Sequence, residues 1–162
     1  MPELTYLSDF PVNTDMTEFK AQDRSVEHLT ETLRVLPQEL SLDAREEWFG
    51  TRMDYRHVFS CMFDESVVDA PYRLMIDYLV VGGTRPPDDY LPAFESGWGS
   101  LGWTIDHPTA SGTVIEATTP DHFSLTVAVA TTGDTAITVA SPCFPSTNRG
   151  GAGPLPESIP HP

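Results

Sequence analysis

From Asp23 the apolar residues Val26, Leu29, Leu33 and Leu36 recur at steps of three, four and three, which sets them on one face of a helix. Asp23 or Ser25 can cap its start, because a short side-chain oxygen accepts a free backbone N–H there. Glu27 and Glu31 suit the positive end of the helix dipole, Arg34 suits the negative end, and Pro37 stops the run. His28 falls off the apolar stripe and is expected at the surface. Residues 1–22, with Pro2, Pro11 and Asn13, show no sustained period and read as an irregular N-terminal arm. Residues 38–46 read as a polar connection.

A period of two then takes over. Residues 53–63 place Tyr55, His57, Phe59, Cys61 and Phe63 on one face of a strand, and residues 72–81 do the same for Tyr72, Leu74, Ile76, Tyr78 and Val80. A second helix is predicted from Pro86-Pro87-Asp88-Asp89, carrying Leu91, Phe94, Trp98 and Leu101 at helical spacing, with Gly102 as its C′ residue. Four further strands follow at 103–107, 113–118, 122–131 and 135–141, separated by Gly112, Thr119-Pro120-Asp121 and Gly133-Asp134. Hairpin-length links predict an α+β fold: an antiparallel sheet of about six strands with two helices packed on one face. The expected organisation is one domain over 23–145 and a flexible Gly/Pro-rich tail over 146–162.

Composition narrows the function. The 162 residues hold 24 acids against 9 bases, a net charge of −15, and Lys20 is the only lysine. Such a balance argues against nucleic acid and anionic membrane as partners, because both would be repelled. The longest apolar runs fall far short of the ~20 residues a membrane-crossing helix needs. The first ten residues lack the basic start and apolar middle of a signal peptide, so the chain as it stands reads as cytoplasmic. Removal of an upstream signal peptide would make it an exported protein.

Catalytic and ligand chemistry is sparse. Cys61 and Cys143 belong to no CxxC motif; they read either as a disulfide or as two buried thiols. The five histidines show no HExxH or HxH spacing. Trp98-Gly99-Ser100-Leu101-Gly102 lacks the first glycine of a nucleophile elbow and sits at a helix end. Gly82-Gly83-Thr84-Arg85 lacks the lysine of a phosphate loop. Asp77, between Ile76 and Tyr78, is the acid to inspect for burial; its simpler readings are a salt bridge to Arg56 or Arg73, or a sheet face open to water. No catalytic residue, metal or cofactor is expected.

Val58-Phe59-Ser60-Cys61, Pro71-Tyr72-Arg73, Gly102-Trp103-Thr104-Ile105, residues 119–123 and Ser141-Pro142-Cys143-Phe144-Pro145 together resemble small actinobacterial lipoprotein-like α+β proteins over roughly residues 24–145. The resemblance implies that Cys61 and Cys143 pair in exported members, and it implies no catalytic residues. The chain departs from those proteins in lacking a lipobox cysteine near Met1.

Strong single-sign charge without a catalytic cluster points to a non-enzymatic acidic protein that recognises a basic protein partner, an immunity-type inhibitor being its most concrete form. Glu27, Glu31, Glu46, Glu47, Asp88 and Asp89 are the expected contact acids, with Tyr55 and Tyr90 as aromatic anchors. The alternative is a lipoprotein-like envelope accessory domain.

Overall fold

The computed structural model describes residues 10–44, 47–48, 51–52, 55–62, 69–106 and 113–162. Helix α1 spans Glu18–Arg34 and starts five residues ahead of the predicted cap, because Thr17 accepts the Lys20 N–H. Its inward stripe includes Glu18, Gln22, Ser25, His28 and Thr32 beside Ala21, Leu29 and Leu33. Five of those eight residues are polar, so hydrophobic spacing alone missed the first turn.

Strands β1 (Ser41–Asp43), β2 (Glu47–Trp48), β3 (Thr51–Arg52), β4 (Arg56–Ser60) and β5 (Tyr72–Val81) follow. β2 and β3 pair with each other outside the main sheet. Pro87–Asp89 forms a separate short 3-10 turn rather than the opening of the helix. Helix α2 runs Leu91–Ser100 with Pro92 in its first turn, where the missing N–H has no partner to lose. Gly102 stands just past it at φ +81, as its C′ role requires. Strands β6 (Thr104–Asp106), β7 (Val114–Thr118), β8 (Ser124–Val129), β9 (Thr135–Ala140) and β10 (Ser158–Ile159) complete the chain.

The main sheet has eight strands in the order β10-β1-β5-β9-β8-β7-β6, with β4 also on β5, and every pairing is antiparallel. The fold is therefore α+β, but the expected six strands become eight. β1 was hidden in the stretch read as a polar connection, and β10 in the Gly/Pro-rich end. β4 and β1 share one edge of the ten-residue β5: β4 covers Tyr72 to Ile76 and β1 covers Leu79 to Val81.

Both helices contact the sheet and each other, α1 against β5 and β9, α2 against β6 and β7. Beneath them lie Leu74, Ile76, Tyr78, Ile115, Ala117, Leu125, Val127, Ile137 and Val139, all buried. Phe94, Trp98, Phe123 and Phe144 complete the core. A buried side chain of this kind stabilises by roughly 1.5–3 kcal/mol.

The C-terminal stretch, expected to be a flexible tail, is fastened along its length. Ile159 pairs with Leu42, Leu155 is buried, and Pro156 accepts the Tyr78 hydroxyl at 2.6 Å. Asn148 donates to the Met16 carbonyl, the Gly150 amide donates to Glu18, and Gln22 donates to the Gly153 carbonyl.

Candidate interaction surface and the buried polar cluster

Strand alternation sends Leu125, Val127, Ile137 and Val139 toward the helices and leaves the opposite face of the sheet accessible. The register lays that face out in rows. One row crosses five strands as Asp77, Thr138, Thr126, Glu116 and Asp106. The next runs His57, Met75, Ala140, Ser124, Thr118 and Thr104 across six. His57, Thr104, Asp106 and Thr118 are exposed, and Asp77, Glu116, Thr126 and Thr138 are half-buried.

Asp106 and Glu116 stand directly opposite each other. Like charges at that spacing, about 5 Å between Cβ atoms, weaken a strand pair. Neither carboxylate has a hydrogen bond or ion pair among the described residues. Asp77 accepts from the Thr138 hydroxyl and not from an arginine. The expected arginine partners are engaged elsewhere. Arg56 lies on the helix side, on Glu18 and Gln22. Arg73 is buried with its guanidinium stacked on Phe10 at 4.2 Å. Burial holds the Arg73 group below its ordinary value, and Glu116 pulls the other way.

The expected contact acids are dispersed. Glu27 and Glu31 are both on Arg24, at 2.7 and 3.4 Å. Asp88 and Asp89 are exposed on the 3-10 turn. Glu47 belongs to β2, and Glu46 lies outside the described residues. Tyr55 is half-buried, 5.9 Å from the Tyr78 ring. Tyr90 is no surface anchor: it is 4% exposed, accepts from the Thr84 N–H and donates to Glu39. Its ring lines a cleft of about 370 Å³ shared with Leu40, Leu79, Val81, Arg85 and Asp134. Two exposed aromatics were not expected as contacts: Phe19 on α1, 53% exposed, and Phe59, 38% exposed and level with Arg73 on the open face. Along β4, His57 and Phe59 face outward, while Arg56 and Val58 face the helices.

Cys61 and Cys143 form a disulfide. Phe10, Val12 and Met62 pack on it, and Cys143 exchanges backbone hydrogen bonds with Pro11 and Asn13.

His28 departs most from expectation: its side chain is 1% exposed. It lies against the turn at 119–123 between β7 and β8, where Thr119 and Phe123 exchange hydrogen bonds and His122 adopts φ +68. Asp121 in that turn accepts from Thr119 at 2.6 Å, from Arg24 at 2.8 Å and from His28 at 2.9 Å. Burial pushes the Asp121 carboxyl up, but the hydrogen bonds from Thr119 and Arg24 prevail and hold it below its ordinary value. Above His28, the Trp98 indole N–H donates to Thr32, whose hydroxyl donates to the His28 carbonyl. The ring is enclosed, so no substrate reaches it. Sequence spacing could not have found the cluster, since Asp121 is 93 residues away.

Among the described residues no group of three His, Cys, Asp or Glu side chains is placed to hold a metal ion, and no helix is long and apolar enough to cross a membrane. No family model and no curated protein matches the chain.

Proposed function

We propose that the protein is a non-enzymatic binding module whose open sheet face receives a basic protein partner. The observation that carries this reading is the Asp106–Glu116 pair: two carboxylates directly opposed on an accessible face, neither with a hydrogen bond or ion pair among the described residues, and with only the buried Arg73 guanidinium acting on Glu116. A guanidinium or ammonium group set between them would relieve the repulsion. The hydroxyls of Thr104, Thr118, Thr126 and Thr138 offer hydrogen bonds around that point, and Phe59 supplies an aromatic contact at its margin. The net charge of −15 would steer a cationic partner toward any face of the molecule and speed capture. Neutralisation of a basic toxin by an immunity-type inhibitor is the most concrete form of this activity.

The test is affinity capture from the native host with wild type and with the Asp106→Asn/Glu116→Gln variant as bait, each at low and high salt. A basic protein retained by wild type, and released by either salt or the variant, is the expected result. Retention that ignores both changes would remove the proposal.

The disulfide favours a second reading, an exported lipoprotein-like envelope accessory domain, since such bonds persist mainly in oxidising compartments. Thiol titration of protein taken directly from native cells addresses it. Two free thiols would count against export, and none would support it.

A further inference from the structure

The ring of His28 is sealed by Trp103, edge-on at 5.2 Å, and by Phe123, tilted at 4.9 Å. Nε2 lies 2.9 and 3.2 Å from the two oxygens of Asp121. An ionised carboxylate only accepts, so the proton of a neutral ring sits on Nε2 and Nδ1 is left bare. Among the described residues Nδ1 is buried without a hydrogen-bond partner, although Glu31 Oε1 is 3.4 Å away. With its one proton on Nε2, the neutral imidazole has no second donor at Nδ1 to offer the Glu31 carboxylate.

We propose that the His28–Asp121 contact is an acid-released latch: protonation at the bare Nδ1 charges a sealed ring and undocks helix α1 from the turn between β7 and β8. The charged groups around the ring set the direction. From α1 come Arg24, Glu27 and Glu31, and from the turn comes Asp121, with exposed His122 beside it. Trp103 and Phe123 bring no charge, and α2 reaches the cluster through Trp98. Asp121 and Glu31 would welcome a second cation, but Arg24 already occupies both as well as Glu27. An imidazolium formed there meets that guanidinium and loses its water. Burial is the largest influence, and the imidazole is held below its ordinary value of 6.5.

The sign follows from linkage. A histidine whose folded-state value is depressed stabilises the fold fully above its unfolded value of about 6.5. That contribution is lost as pH falls through 6.5 toward the folded value. Opening of the contact becomes easier by up to about tenfold per pH unit in that window.

Histidine ring-proton NMR on the wild type reads the titration directly. A His28 midpoint below 6.5 is expected, and a midpoint at or above it overturns the latch. Amide hydrogen exchange of Phe123, whose N–H is held by Thr119, reads the local opening. Its opening constant is expected to rise between about pH 7.5 and about pH 5.5. No rise overturns the proposal. His28→Gln keeps a donor for Asp121 and cannot titrate, so its opening constant is expected to stay flat. An equal rise in variant and wild type also overturns the proposal. If the variant fails to fold, the two wild-type measurements decide.

Discussion

Thr32 carries two buried hydrogen bonds through one hydroxyl, accepting from the Trp98 indole and donating to the His28 carbonyl. Thr32→Val preserves shape but strands the indole N–H among apolar groups, so a loss of about 1–3 kcal/mol is expected in urea unfolding. Thr32→Ser should recover most of it. Gly82 tests a backbone constraint in the same way. It holds φ +86, and a Cβ there would stand 2.2 Å from the Glu39 carbonyl oxygen. Gly82→Ala should therefore destabilise by more than about 1 kcal/mol, because both the conformation and the close approach exclude a side chain. In the sequence the glycine pair at 82–83 ends the strand over 72–81 and fails as a phosphate loop. Its physical role is to let the chain at Glu39 and the ring of Tyr90 come close.

At the scale of elements, legibility depends on how apolar the buried face is. β5, β7, β8 and β9 carry alternating apolar residues, so their inward residues were readable from spacing, although β8 spans only Ser124–Val129 of the expected 122–131 and buried Arg73 interrupts the alternation of β5. α1 was readable only where Leu29 and Leu33 carry the period. Its first turn buries Glu18 and Gln22 because Arg56, Gly150 and Gly153 satisfy them from remote positions. The two-residue β10 has no period at all and exists because β1 offers it an edge. Truncation after Gly153 removes β10 together with Leu155 and is expected to lower stability by on the order of 3 kcal/mol. An unchanged urea midpoint in the truncated chain would show that this docking contributes little. None of the candidate surface was readable as a surface, although each of its residues was. Asp106 and Glu116 become neighbours only through the β6–β7 register.

For the whole molecule, charge and cross-linking pull in opposite directions. Acids outnumber bases by 15, so the compact state repels itself, and moderate salt is expected to raise the unfolding temperature while weakening any electrostatic partner. The Cys61–Cys143 bridge closes 82 sequence steps and restricts the unfolded chain. Replacing both cysteines with alanine should lower stability by roughly 4 kcal/mol, measured by urea unfolding without reductant. Acid sensitivity should come in two stages. The His28 contribution is lost below 6.5, whereas Asp121 and Glu18, whose folded values lie below 3.8 and 4.5, lose theirs only as pH falls past those values.

Periodicity reports on neighbours a few residues apart, so the strands of the second half, the apolar core of α1 and the excess of acids could all be read directly from the amino acids. Pairing between distant positions leaves no such periodic trace. Joining His28 to Asp121, Cys61 to Cys143 and Leu42 to Ile159, and setting Asp106 against Glu116, required the chain to close on itself. Folding also chose which side of the sheet stays open, because the helices can cover only one.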